Sequence, residues 1–224
     1  MNKIALYILL VICYLGLAKN FSPTELGVTY IANQADLSQL VDEAPVTIIL
    51  ADMHSTGFLI KTHYHKYRIV FGYEEDEEIV VRASEKFTKI NKDNIGMSIF
   101  RRNAKSLADN FTPLPPGSIF IGDPVFGRWK RRSGKKSWKF YRLYRHLPKL
   151  LRWGKFNPSY KFYNRVRSSI EQNKAFYGVT NEFGTKGELS KKHFPDYFDK
   201  GRIKDVSFKL LMMDYLKENF YHKI

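Results

Sequence analysis

Residues 124 to 170 contain fifteen Lys and Arg residues and no Asp or Glu. This segment, called the basic stretch below, also holds all three tryptophans of the chain. A buried cation without a partner is very costly, so these charges are expected at the surface. The aromatic residues can then serve either as core or as a binding platform.

The formal net charge of +15 originates in the basic stretch, because the other 22 basic residues equal the 22 acidic residues in number. Such a charge favours association with anionic surfaces and acidic partners, but it does not define a fold. Apolar residues make up 44% of the chain and aromatic residues 15%, which excludes a disordered polypeptide.

The N-terminus has the order of a secretory signal peptide. A short positive start, Met1-Asn2-Lys3, precedes an apolar run from Ile4 to Leu17, and Ala18 ends a small-x-small pair. We expect cleavage after Ala18 and a periplasmic or secreted protein. The apolar run reaches about 22 Å as a helix, less than the ~30 Å hydrocarbon core of a bilayer. A retained N-terminal membrane anchor and a buried core helix are the alternatives.

Cysteine usage fits export from a bacterium. The sole cysteine, Cys13, lies in the apolar run, so the mature chain would have no disulfide, no Cys-ligated zinc and no thiol nucleophile.

The remaining pattern predicts an α+β fold, with a small mixed or antiparallel sheet in the first half and a basic helical second half. Residues 1 to 18 form the signal peptide, 19 to 112 an α/β subregion, and 113 to 224 a basic, aromatic-rich helical subregion within the same globular domain. Pro and Gly at 113 to 117 separate the two.

Individual elements follow from periodicity. The β-branched run 46 to 50 predicts a buried strand, and we predict further strands at 58 to 60, 67 to 73, 79 to 83 and 119 to 121. We predict helices from Asp36 to about residue 43, and over 98 to 110, 137 to 147, 148 to 153 and 207 to 219. Residues 176 to 202 are interpreted as loop with short strands.

The spacing of the basic stretch predicts a binding surface. Basic residues recur every three or four positions and would form one helical stripe: Lys139, Arg142, Arg145, Lys149 and Arg152. Trp129 is a candidate aromatic contact. The partner would be an anionic envelope polymer, an anionic lipid surface or an envelope assembly. Nucleic acid is a third partner class that export disfavours. A solvated basic face that binds nothing is the simpler alternative.

A polar group follows the first strand. Asp52 and His54 stand at its end, and His63 and His65 share a face if they lie in one strand. His54, His63 and His65 would then be candidate ligands for a divalent metal, the one cofactor that the sequence suggests. Asp52 and His54 are also candidates for acid–base catalysis. A plain structural role is the alternative.

Two further carboxylates are catalytic candidates. Asp123 lies in a Gly-Asp-Pro turn and Glu182 in a glycine-containing loop, and paired carboxylates cleave glycosidic bonds when about 5 to 9.5 Å apart. The acidic run 74 to 78 is interpreted as a solvated hairpin tip that can pair with the basic stretch.

The leading hypothesis is therefore an exported, non-enzymatic cell-envelope protein that docks through its basic surface. The alternative is a hydrolase acting on the cell wall or its glycolipids, with the basic stretch as its substrate groove.

Overall fold

The structure is a computed structural model that describes residues 3–20, 28–56, 61–72, 76–132 and 134–200. It confirms the predicted α+β class: a curled six-stranded sheet is combined with several helices. The strands are β1 (Tyr30–Ile31), β2 (Val46–Thr56), β3 (Thr62–Phe71), β4 (Glu77–Ala83), β5 (Ser98–Arg102), β6 (Asp109–Asn110), β7 (Gly127–Arg132) and β8 (Lys135–Phe140). The helices are α1 (Lys3–Asn20), α2 (Gln34–Ser38), α3 (Glu85–Asn91), α4 (Leu147–Leu150), α5 (Tyr160–Glu171), α6 (Glu188–His193) and α7 (Pro195–Lys200).

The large sheet has the strand order β1-β4-β3-β2-β5-β6. Only the β1–β4 pair is parallel, so the sheet is mixed. Its centre is the long β2–β3 pair, where a register shift between Leu50 and Asp52 interrupts the ladder. The run at 46 to 50 is a buried strand as predicted, and β2 continues beyond it to Thr56.

One apolar cluster joins both halves of the chain. Ile48, Ile49 and Leu50 of β2 are fully buried, and so is Phe120 from the second half. Each such side chain contributes about 1.5–3 kcal/mol on leaving water. The cluster extends to Phe194 in the loop between α6 and α7, so the segment after residue 113 packs on the sheet.

Two of the predicted helices are wrong, one in each half of the chain. Residues 98 to 110 hold β5 and the short β6, and residues 137 to 147 begin within β8. At 98 to 102 the chain forms an inner strand, because β2 and β6 flank it. At 135 to 140 it pairs with β7, which ends at Arg132, and helical spacing does not reveal this pairing.

The predicted helical stripe is wrong for the same reason. Lys139 lies in β8, Arg142 in a 3-10 turn (Arg142–Tyr144), Lys149 in the one-turn α4, and Arg152 beyond its end. These residues therefore do not share one helix face.

Other boundaries also differ. Asn33, not Asp36, caps α2: its side chain accepts hydrogen bonds from the first-turn amides, and Asp36 accepts one from the amide of Asn33 in return. The helix ends at Ser38, before the predicted residue 43. Residues 119 to 121 form turns rather than a strand, and residues 176 to 202 contain α6 and α7 rather than strands.

Some predictions fall outside the described residues: the strand at 58 to 60, Glu74 and Glu75 of the acidic run, and the helix at 207 to 219. The predicted signal segment coincides with α1, which is helical from Lys3 to Asn20. Across the described residues, the structure contains no helix with both the length and the hydropathy needed to cross a membrane.

Candidate functional site

The β7–β8 hairpin presents much of the basic stretch. In a two-stranded ribbon, side chains on paired residues share a face and alternate along each strand. Trp129 pairs with Trp138 on one face, and Arg128 pairs with Lys139 on the other. The tryptophan face packs on α5, where Trp129 lies 5.0 Å from the Tyr160 ring. Like charges directly opposite each other destabilise a hairpin, so the Arg128–Lys139 face favours a bound anion.

A basic concavity lies between this hairpin and the segment from 141 to 159. Its volume is about 1220 Å³, and no Asp or Glu lines it. Nine cationic side chains line it: Arg128, Lys130, Arg131, Lys135, Lys136, Lys139, Arg142, Arg145 and Lys155. All nine are exposed, so they retain most of their hydration until a ligand displaces it.

Within the part of the chain that the structure describes, no carboxylate neutralises the charges of the basic concavity. Within the described chain, none of the nine cations has a carboxylate within 4.0 Å. Lys136 Nζ lies 4.3 Å from the centre of the Tyr160 ring, but this contact with a neutral ring does not compensate the positive charge. The lining of the concavity therefore carries a net positive charge.

A second concavity, here called the mixed concavity, adjoins the first and shares Arg145 and Pro148 with it. Its volume is about 1120 Å³, and Lys149 and Arg152 line it together with Arg68 and Asp76. Here part of the positive charge is neutralised, because Arg68 Nη2 lies 3.0 Å from Asp76 Oδ2.

Glu78 forms ion pairs with three nearby cations. Its carboxylate lies 2.5 Å from Lys66 Nζ, 2.9 Å from Arg68 Nη2 and 3.6 Å from Arg152 Nη2. Partial burial opposes ionisation, but the hydrogen bonds from Lys66 and Arg68 outweigh it and lower the pKa of Glu78. Glu78 of the acidic run thus pairs in cis with Arg152 of the basic stretch. Arg152 is a structural cation, because it also donates a hydrogen bond to the carbonyl of His193.

The aromatic residues of the basic stretch mostly form core. Trp138 and Trp153 are 3% and 2% exposed, and Trp153 Nε1 donates to the carbonyl of Pro116 over 2.9 Å. Tyr141, at 41% exposure, is the one exposed aromatic residue in the wall of the basic concavity. Trp129 is partly buried in the aromatic cluster and does not line the concavity. Of the predicted binding residues, the structure brings together Lys139, Arg142 and Arg145.

The three candidate metal ligands do not converge. His63 and His65 pair with Ser55 and Met53, whereas His54 pairs with Tyr64, so His54 lies on the opposite face of the sheet. No group of three His, Cys, Asp or Glu residues in the described part of the chain is placed to hold a metal ion.

The nitrogens of His65 and His63 have other partners. His65 Nδ1 lies 2.9 Å from the hydroxyl of Tyr67, and His65 Nε2 lies 2.9 Å from that of Thr88. His63 Nδ1 lies 2.6 Å from Ser55 Oγ. Hydroxyl contacts therefore occupy ring nitrogens that a metal ion would need.

Asp52 and His54 do lie side by side. Asp52 is 2% exposed, and its Oδ2 lies 3.6 Å from His54 Nδ1. The His54 ring stacks on Tyr64 with 5.3 Å between ring centres. A buried carboxylate beside one imidazole nitrogen can orient the ring for proton transfer. Neither residue lines the basic or the mixed concavity.

Asp123 and Glu182 have separate surroundings. Asp123 Oδ1 accepts a hydrogen bond from the amide of Val125 and lies 3.3 Å from Lys105 Nζ, at a cavity of about 470 Å³ that Glu182 does not line. Glu182 accepts a hydrogen bond from the amide of Thr180 within its own loop. Both carboxylates thus stabilise local turns.

Comparison of the chain with protein-family models, curated proteins and solved structures finds no match.

Proposed function

We propose that this chain is an exported cell-envelope protein that docks through the basic concavity onto an anionic component of the envelope. One observation carries the proposal: nine exposed cations line a single concavity, and no carboxylate of the described residues neutralises them. A solvated surface would gain from acidic residues between such cations, because mutual repulsion is unfavourable. An anionic ligand removes that repulsion on binding.

Contact with a ligand across the concavity would involve both walls. The hairpin supplies Arg128 and Lys139, and the segment after it supplies Arg142, Arg145 and Lys155. Electrostatic complementarity of this kind raises the association rate and makes binding sensitive to salt.

The experiment compares two triple variants of equal charge. One replaces Lys139, Arg142 and Arg145 by Gln, and these residues line the basic concavity. The matched control replaces Lys161, Arg165 and Arg167 by Gln, and these exposed α5 residues lie outside it. Co-sedimentation with isolated envelope fractions measures binding.

We expect the first variant to bind at least 10-fold more weakly and the control to bind like the wild type. Equal loss in both variants would mean that net charge alone governs binding, and no loss in either would refute the proposed site.

A hydrolase is the second candidate, and the Asp52–His54 contact of 3.6 Å supports it. In this proposal His54 exchanges a proton with a wall or glycolipid substrate, and Asp52 positions its ring. Release of fragments from cell-wall sacculi, lost in His54→Gln but retained in His146→Gln, would favour it. Intact sacculi after prolonged incubation would count against it.

A further inference from the structure

The dimensions of the basic concavity indicate what kind of ligand it accepts. Its lining runs along the hairpin from Lys135 near the turn to Phe140 at the base. Six strand residues span about 20 Å. A volume of about 1220 Å³ over that length gives a mean cross-section of about 60 Å², or a width of about 9 Å. This accommodates one extended chain but not a nucleic-acid duplex, whose major groove alone is about 12 Å wide.

The placement of the cations on two walls also indicates that the ligand is a single extended chain. Arg128 and Lys139 come from the hairpin, whereas Arg142, Arg145 and Lys155 come from the segment that follows it. A chain lying between the walls contacts both sets at once. A bilayer is flat on this scale, so its headgroups would approach the rim without filling the space between the walls.

The density of charge requires a densely charged ligand. Arg131 pairs with Lys136 on the tryptophan face, so seven of the nine cations face the concavity, about one per 3 Å over about 20 Å. A single nucleic-acid strand carries about one charge per 3.4 Å. A polymer with one carboxylate on each larger repeat unit carries fewer, so closely spaced phosphate groups match the cations best.

Few aromatic surfaces are available for stacking. Proteins that bind single-stranded nucleic acid stack successive bases on exposed aromatic rings. In this wall only Tyr141 is exposed, while Trp138 and Trp153 are buried. Recognition therefore rests on charge-assisted hydrogen bonds from Lys and Arg, which suit phosphate oxygens.

We infer that the basic concavity binds a single linear chain of closely spaced phosphate groups. The inference rests on the proposed function and names the ligand class of the same site. Three Arg and four Lys side chains would contact non-bridging phosphate oxygens along the chain.

The test measures binding of the full chain to fluorescently labelled linear inorganic polyphosphate of about 15 units, by anisotropy, across a series of salt concentrations. For a single-stranded polyanion the slope of log K against log salt is about −0.7 per phosphate contact, so seven contacts predict about −5. The Lys139, Arg142 and Arg145 triple Gln variant should flatten the slope by about 2, because three contacts are lost. The Lys161, Arg165 and Arg167 control should leave it unchanged.

Competitors added at equal total concentration of anionic charge identify the ligand class. We expect polyglutamate, single-stranded oligothymidylate and orthophosphate to compete at least 10-fold less well than polyphosphate, and anionic lipid vesicles to compete weakly. Equal competition by polyglutamate, tighter binding of oligothymidylate or vesicles, or a slope near −1 would each overturn the inference. If envelope fractions still bind through the concavity while polyphosphate does not, the ligand class is wrong and the docking function stands. If neither binds, both are refuted.

Discussion

The stability of this protein is expected to fall in mild acid because of His65. The imidazole is fully buried and lies between two hydroxyl groups. Thr88 donates its hydroxyl hydrogen to the carbonyl of Ser84, so Thr88 Oγ1 accepts from His65 Nε2–H, and Tyr67 donates to Nδ1. This network fits the neutral ring. Burial, together with repulsion from neighbouring histidines, lowers the pKa of His65 from 6.5 to about 4.

The direction of the effect follows from proton binding. Below pH 6.5 the unfolded chain takes up a proton at His65 that the native protein does not accept until about pH 4. The contribution to stability is therefore complete above pH 6.5 and is lost as the pH falls towards 4. Between pH 7.5 and pH 5.0 the free energy of unfolding should fall by about 2 kcal/mol. His193, whose pKa burial also lowers, adds a contribution of the same sign.

Urea unfolding at pH 7.5 and pH 5.0 measures this loss. His65→Gln keeps a hydrogen-bonding side chain that does not titrate, so its stability should be lower at pH 7.5 but should change much less with pH. The exposed His146→Gln serves as control and should keep the wild-type pH dependence. Two results would show that the buried imidazole does not govern acid stability: a wild-type urea midpoint that is equal at both pH values, or a fall in the stability of His65→Gln between pH 7.5 and pH 5.0 as large as that of the wild type.

Two further changes test the packing and the charge balance. Trp153→Phe removes the 2.9 Å hydrogen bond to the carbonyl of Pro116 and should lower the urea-derived unfolding free energy by about 2 kcal/mol, whereas an unchanged midpoint would contradict this account. Glu78→Gln removes the carboxylate shared by Lys66, Arg68 and Arg152, and should raise the affinity for polyphosphate about 2-fold at low salt. A drop in that affinity would show that Glu78 supports the concavity rather than opposing its charge.

The β-rich first half was largely predictable because its signals are local. The β-branched run from Val46 to Leu50 identifies a buried strand whatever its partners are, and the structure confirms it. Caps were a weaker signal: Ser84 and Ser159 begin α3 and α5 by accepting amide hydrogens, yet neither helix was predicted. The Ser-x-x-Phe spacing at both caps is the sequence signal that could have located them.

The candidate site shows where the helical spacing of charged residues is misleading. Lys139, Arg142 and Arg145 have helical spacing, and that spacing predicted a stripe that does not exist. The chain instead pairs Lys139 with Arg128 in the β7–β8 hairpin. The two strands are separated by only Ser133-Gly134, a dipeptide typical of turns, so a turn signal rather than the periodicity of one segment could have predicted this pairing.

The sequence by itself determined how much charge this protein carries and where along the chain that charge lies, because the absence of acids from residues 124 to 170 is a property of composition. Only the tertiary structure decided which cations act together. It neutralised Arg152 with Glu78 and left nine others around one concavity. It also placed His54 and His65 on opposite faces of one sheet, because each strand alternates its side chains and the register of β2 with β3 fixes which residues face each other.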